Sequence, residues 1–227
     1  MRSVTMPVWR RQGARRADEV EGKFMPKDKT QSHIRIIEAA KKEFMEYGFQ
    51  DASMRRIAGE AGIQVGGLYK HFASKEEMFA SLVDPMIEEL MRVYHIEEEN
   101  EFEAIGAPEI KEIWKNREET TQTMTFIYDH LDEFKLLICR SQGTQYENFV
   151  HEFALLEEKT TMRYMQELKA KGIQIKDVDP KEFHLLVTAN IEAILQTVVH
   201  GFTREEALHY AKTLDRFFTS AWLALFI

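Results

Sequence analysis

The chain has 227 residues, with 30 lysines and arginines against 38 aspartates and glutamates, a net charge of −8, and a single cysteine, Cys139. One cysteine excludes an internal disulfide and suits a reducing compartment. No apolar run approaches the length of a membrane span, and the basic N-terminus lacks the apolar core of a secretory signal, so a cytoplasmic protein with no membrane partner is expected. The net charge alone argues against nucleic acid, but its distribution does not. Residues 1–80 hold 15 basic against 11 acidic side chains, whereas residues 81–227 hold 15 against 27. A basic head on an acidic body fits a polyanion-binding module joined to one with another task.

Residues 1–24, with Trp9, Arg10, Arg11, Arg15 and Arg16, show no helical stripe. They read as a disordered tail, outside the native protein if synthesis starts at Met25, or as a basic arm that follows phosphates. Residues 29–49 are amphipathic, with Ile34, Ile37, Ala40 and Phe44 on one stripe and Gly48-Phe49 closing it. Ser53 is a good N-cap for a short helix whose inward residues are Met54, Ile57, Ala58 and Ala61. Gly62 ends it, because glycine accepts a left-handed turn. A second short helix places Val65, Leu68 and Phe72 inward and leaves Gln64, Gly66, Gly67, Tyr69, Lys70 and His71 outside. These residues are small or donate hydrogen bonds, as a helix in the major groove requires. Two glycines in an ordinary core helix would each cost about 1 kcal/mol; close approach of backbone to DNA is a reason to keep them.

Ser74 and Glu77 form a capping box that opens a longer helix carrying Met78, Phe79, Leu82, Val83, Met86 and Leu90. Asp84-Pro85 within it predicts a kink, either static or used to pass a signal between domains. An acidic stretch, Glu97–Glu101, leads to Gly106-Ala107-Pro108, and Pro108 suits the first turn of a helix reaching about His130. Further helices are expected over 131–142 and 145–171. Asp179-Pro180 starts one that runs to Val199, and the capping box Thr203–Glu206 opens the last, 204–226. The fold class is therefore all-α, with about nine helices: a tail over 1–24, a helix-turn-helix domain over 25–75, and a helical ligand-binding and dimerisation domain over 76–227.

The stretch 29–83 resembles the N-terminal domain of the tetracycline-repressor-like (TetR/AcrR) family. The matching pieces are Ala39–Phe44 with Tyr47-Gly48-Phe49, Ser53–Ala58, Ala61-Gly62-Ile63, Gly66–Phe72 and Ser74–Phe79. The resemblance implies a homodimeric repressor of transcription, released from a palindromic operator in double-stranded DNA by a small-molecule effector. It implies that Ser53, Met54 and Arg55 meet backbone phosphates, that Gln64, Val65 and Gly67 face base edges, and that Tyr69, Lys70 and Lys75 hold phosphates with His71 beside them. Gln can pair bidentately with adenine and Val can touch a thymine methyl. A polar or basic residue is common in the family where Val65 stands, so readout here shifts toward apolar contact.

The segments 180–200 and 204–226 are apolar nearly all round and must be buried on more than one side. A four-helix dimer interface meets that need, as does an intramolecular core; the resemblance favours the dimer. Its expected residues are Ile191, Leu195, Leu214, Phe218 and Trp222. Aromatic and methionine residues in the middle helices suit an adaptable pocket or plain core, and the pocket candidates are Trp114, Phe126, Tyr128, Phe149, Phe153 and Glu192. Thr188, Glu192 and Gln196 lie four apart on an otherwise apolar helix; they line a pocket, face the dimer axis, or bond within the core. No phosphate loop, nucleophile elbow or metal-binding His-Glu-x-x-His is present, so no enzyme activity, cofactor or metal is expected. The alternatives are a ligand-independent or protein-controlled DNA-binding regulator with a filled core and, further off, a helical enzyme or carrier.

Overall fold

The computed structural model describes residues 27–105 and 119–227. The expected tail, the expected helix start at Pro108 and the pocket candidate Trp114 lie outside them. The described residues form nine helices and no strand: α1 (Lys27–Asp51), α2 (Met54–Glu60), α3 (Val65–Leu68), α4 (Lys75–Glu103), α5 (Glu119–Asp129), α6 (Leu131–Cys139), α7 (Phe149–Ala170), α8 (Pro180–Val199) and α9 (Arg204–Phe226). They gather into two compact units. The first takes the chain up to Glu88 together with Asp132–Asn148, and the second takes Glu89–Leu131 with Phe149–Ile227. The segment 132–148, which the sequence assigns to the C-terminal domain, thus belongs with the helix-turn-helix. α4 runs as one helix from the first unit into the second, across Pro85.

In the first unit the core is aromatic. Phe44 and Phe79 are fully buried, edge-on to each other with centroids 5.2 Å apart. Phe49 joins both, at 6.0 Å and 5.6 Å, and Tyr146 comes within 6.0 Å of Phe79. The Tyr146 hydroxyl donates to Asp84 Oδ1 at 2.5 Å. Burial raises the Asp84 carboxyl above its usual range, and the tyrosine hydrogen bond opposes that rise. Lys41 of α1 pairs with Asp132 at 2.9 Å and Glu133 at 3.2 Å, and the Phe49 amide donates to the Arg140 carbonyl at 2.9 Å.

The inward stripe of α1 differs from the expected one. Ile36, Ala39, Ala40, Glu43 and Phe44 are buried, whereas Ile34 is 47% exposed. Positions 36, 39, 40, 43 and 44 follow a single helical face. Three isoleucines at 34, 36 and 37 offered competing stripes, and a glutamate at 43 disguised the true one. α1 also reaches Asp51 rather than ending at Gly48-Phe49; Gly48, at φ 72° and ψ 171°, breaks the helical path inside it.

In the second unit α5 packs on α9, and α7 packs on both α8 and its own loop, while α8 and α9 touch across their turn. Phe183, Val187, Ala154 and Phe226 form one core cluster, joined by Met162, Met165 and Trp222. Local caps match their sequence signals. The Asp179 carboxylate accepts from the Lys181 and Glu182 amides at 2.8 and 3.3 Å, and Thr203 and Glu206 complete a reciprocal capping box. α5 is capped from a distance: Asp215 of α9 accepts from the Thr120 amide at 3.0 Å and the Thr121 hydroxyl at 2.9 Å. None of the helices in the described residues is long and apolar enough to cross a membrane.

Candidate nucleic-acid interface

The helix-turn-helix is built by α2 and α3. Ile57, Ala58 and Ala61 of the first are buried, as are Leu68 and Phe72 of the second, while Met54 and Val65 are half-buried. α2 ends in a complete left-handed glycine turn. Gly62 stands at φ 67°, its amide donates to the Gly59 carbonyl at 3.1 Å, and the Ile63 amide donates to the Ala58 carbonyl at 2.9 Å. A residue with a Cβ would be strained at that φ. α3 is a single α-helical turn that tightens: the Lys70 and His71 amides donate three residues back, to Gly67 and Leu68, at 3.1 and 2.9 Å.

The start of α2 is held differently from the sequence expectation. Ser53 has the extended N-cap backbone, but its hydroxyl makes no cap bond. Instead the Ser53 amide donates to Glu43 Oε1 at 2.7 Å. The same oxygen accepts from Arg56 Nε at 2.7 Å and lies 2.5 Å from Arg56 Nη2. Arg56 also donates to the Asp51 carbonyl at 2.8 Å and lies 4.2 Å over the Tyr47 ring. A buried carboxylate from α1 therefore does the capping, and it leaves the Ser53 hydroxyl uncommitted to the helix. Sequence reasoning missed Glu43, Arg56 and Tyr47. The available signal was an acid on the buried face of an amphipathic helix, which demands a partner.

The outer face carries exposed polar side chains. Arg55, Gln64 and Lys70 are exposed, and Tyr69 is 50% exposed. His71 is half-buried, with its ring 5.8 Å from His33, which stacks on Phe72 at 5.3 Å. Burial and then His71 hold His33 below the usual histidine range. Lys75, also an expected phosphate ligand, has partners within the domain. Its ammonium donates to the Gln50 and Ala52 carbonyls at 3.0 and 3.3 Å and lies 4.5 Å over Phe49. It ties the end of α1 to the start of α4, with one N–H left over.

Gly66 and Gly67 have helical backbones, and a Cβ added to either would meet nothing within 4 Å. Neither the fold nor the turn requires glycine there. Replacing Gly66 by Ala is therefore expected to raise stability by about 0.5–1 kcal/mol while weakening DNA binding. Thermal unfolding read beside a duplex titration checks both signs. A gain in stability with undiminished affinity would remove close backbone approach as the reason for the glycines.

Each described pocket candidate has its own neighbours. Phe149 stacks on Phe153 with centroids 6.0 Å apart, and Phe126 packs on His130 at 4.6 Å. Tyr128 is buried, and its hydroxyl lies 3.0 Å from the Phe202 carbonyl and 3.3 Å from that of Thr197. It fastens the turn between α8 and α9. Glu192 and Gln196 are exposed on α8, and Thr188 donates to the His184 carbonyl at 2.8 Å. Of the dimer candidates, Leu195 and Leu214 are buried within the single chain, while Ile191, Phe218 and Trp222 are half-buried. The side chains that α8 and α9 turn outward are others: Leu185 at 68% exposure, Val199 at 50% and Phe217 at 66%. Apolar positions all round each helix gave the sequence no means of telling the inner face from the outer.

Residues 36–82 match the family model for bacterial regulatory proteins of the tetR family. An uncharacterized HTH-type transcriptional regulator, YfiR, of Bacillus subtilis is 39% identical over 66 residues, covering 29% of this chain and 31% of that relative. An HTH-type transcriptional regulator of Staphylococcus aureus (strain USA300) is 46% identical over 54 residues, 24% of this chain and 29% of that relative. The matches thus span under a third of these relatives' own length. Two solved structures share the fold across most of the chain. The regulator FadR from Bacillus subtilis, in complex with stearoyl-CoA, has a TM-score of 0.55 at 14% identity, covering 83% of this chain and 98% of that one. NalD, the secondary repressor of the MexAB-OprM multidrug efflux pump in Pseudomonas aeruginosa, has a TM-score of 0.53 at 19% identity, covering 84% and 97%.

Proposed function

We infer that this chain, which belongs to the tetR family of bacterial regulatory proteins through residues 36–82, is a homodimeric, DNA-binding repressor of transcription released by a small molecule. One observation carries the reading. α3 is pinned by Leu68 and Phe72, and its opposite face, Gln64, Tyr69 and Lys70, is open beside two glycines that nothing in the domain requires. In this reading Gln64, Val65 and Gly67 meet base edges. Ser53, Met54, Arg55, Tyr69 and Lys70 meet phosphates, with His71 and Lys75 at the margin. The acidic body keeps the rest of the molecule away from the duplex.

A single helical turn carries too few contacts for specific binding, and a two-fold dimer doubles them at half-sites about one turn apart. The exposed Leu185, Val199 and Phe217 support α8 and α9 as the paired surface. An effector acts by preferring one of two half-site spacings. About 2–3 kcal/mol of differential binding gives a working switch.

The test is selection of duplexes from a random library by the purified chain, run beside a Tyr69→Ala, Lys70→Ala double variant. Enrichment of a short palindrome by the wild type alone is the expected result. Equal enrichment, or none at moderate salt, would overturn the reading. On the selected site, Lys70→Ala is expected to weaken every sequence alike and to lower the salt slope by about 1 per protomer. Gln64→Ala is expected to cost discrimination at one base pair, about tenfold or 1.4 kcal/mol. Indistinguishable profiles for the two variants would dismiss this division of roles.

A further inference from the structure

His33 and His71 are the two histidines of the first unit, and they stand side by side at the margin of the proposed duplex face. His33, in the second turn of α1, lies nearly flat on the buried Phe72 ring, with centroids 5.3 Å apart and an interplanar angle of 22°. His71 follows α3, its ring 5.8 Å from His33 and tilted by 38°. Both side chains are half-buried, so each can still be reached from outside.

Three histidines of the second unit have a different kind of neighbour. His95 has Glu98 at 3.1 Å, His184 has Glu158 at 3.0 Å and His130 has Glu89 at 3.6 Å. A carboxylate beside an imidazole favours its charged form. Among the described residues, no carboxylate is paired with the imidazole of His33 or His71; each faces the other instead. The charged groups around them are turned elsewhere or are cationic. On α1, Arg35 donates to Ser32 Oγ at 3.4 Å and reaches toward the turn at Gly62. Beside His71 in the chain, Tyr69 and Lys70 are exposed. At the start of α4, the Glu77 carboxylate accepts from the Ala73 amide at 2.7 Å, and the Lys75 ammonium is held by the Gln50 and Ala52 carbonyls.

We propose that His33 and His71 form one proton-linked contact to a duplex phosphate, with His33 as the positioning residue that governs when His71 is charged. This deepens the DNA-binding reading above and rests on it. Two imidazolium charges so close repel, so the pair takes its protons one after the other. Burial, and then the charge of His71, disfavour a proton on His33. A proton on the pair is thereby directed to the ring next to Tyr69 and Lys70. A phosphate oxygen there supplies the anion that the fold withholds. The duplex then prefers the protonated pair, and binding takes up a proton from the buffer. The sign follows from linkage. A partner that favours the charged form binds at full strength below the pair's own titration and weakens as pH rises through the histidine range, about pH 6–8.

Titration of the full chain with a mixed-sequence duplex at low salt tests this at pH 6, 7 and 8 and constant ionic strength, since phosphate contacts do not depend on sequence. Affinity is expected to fall about tenfold from pH 6 to pH 8, and His71→Gln is expected to flatten the profile. His33→Phe keeps a ring on Phe72 but carries no charge. It is expected to move the midpoint to higher pH, with binding about threefold tighter near pH 7.5; a purely structural role for His33 would leave the midpoint where it is. The imidazole resonances of the DNA-free chain give a second reading that needs no variant. The wild type is expected to show linked titration of the two rings, and His33→Phe a single step for His71. A flat wild-type profile, a slope that survives in folded His71→Gln, or independent titration of the two rings would overturn the proposal. Absence of duplex binding at every pH would count against the DNA-binding reading instead, and linked titration in the free chain would show that the failure lies there and not in the histidine pair.

Discussion

Glu43→Ala is expected to loosen the helix-turn-helix by about 2 kcal/mol. The carboxylate is 7% exposed and accepts from both the Ser53 amide and the Arg56 guanidinium. A hydrogen bond to a charged group is worth about 1.5–3 kcal/mol, and a stranded buried donor adds to the loss. Arg56 is 48% exposed, so its freed charge reaches water, which keeps the total from doubling. Hydrogen exchange of the Ile57 and Ala58 amides should quicken about 30-fold, the equivalent of 2 kcal/mol. Arg56→Ala removes the exposed partner and should cost under about 1 kcal/mol. Because Ser53, Met54 and Arg55 ride on the end of α2 that Glu43 holds, duplex affinity should fall with stability in Glu43→Ala. Unchanged exchange at Ile57 would show that Ser53 or water caps the helix instead.

Phe79→Ala should do more damage, about 3–5 kcal/mol. Phe79 is fully buried and meets Phe44 and Phe49 edge-on at interplanar angles of 78° and 80°, with Tyr146 on a further side. Removing its ring opens a cavity walled by three other aromatics, which cannot collapse without moving α1 or the segment after α6. The loss is comparable with the whole stability of a small domain. Chemical denaturation should show the first unit unfolding at much lower denaturant. Phe79→Leu, which keeps most of the volume, should cost less than half as much. A loss near 1 kcal/mol for the alanine variant would mean that the cavity refills.

The sequence was most readable where structure is made by neighbours in the chain. Thr203 with Glu206, Asp179 with Pro180, and Gly62 with Ile63 declare themselves within four residues, and the structure contains each cap. The Ser74–Glu77 box is half as expected. Ser74 accepts from the Glu77 amide at 3.1 Å, but Glu77 reaches back one residue further, to the Ala73 amide at 2.7 Å. Where a cap comes from afar, periodicity is silent: Glu43 serves Ser53 across ten residues, and Asp215 serves Thr120 across ninety-five. The same limit explains α8 and α9. Leu195 and Leu214 face inward while Leu185 and Phe217 face out, and a helix apolar on every side carries no internal record of which is which. The proposed recognition face stood out because its paired glycines, tyrosine and lysine are poor choices for a helix whose only task is packing.

The cap from α1 also bears on how such a head can be exchanged between proteins. A cassette cut from Ser53 to Phe72 carries every residue expected to touch DNA except Lys75, and it leaves behind both the carboxylate that holds its first turn and that lysine, which ties its flanks together. Placed on a scaffold with a different residue at the position of Glu43, the transplanted helices would have the correct lettering but a loose mounting. The smallest segment that carries its own supports runs from Glu43 to Lys75, and a chimera spliced at those limits would inherit specificity together with the geometry that expresses it.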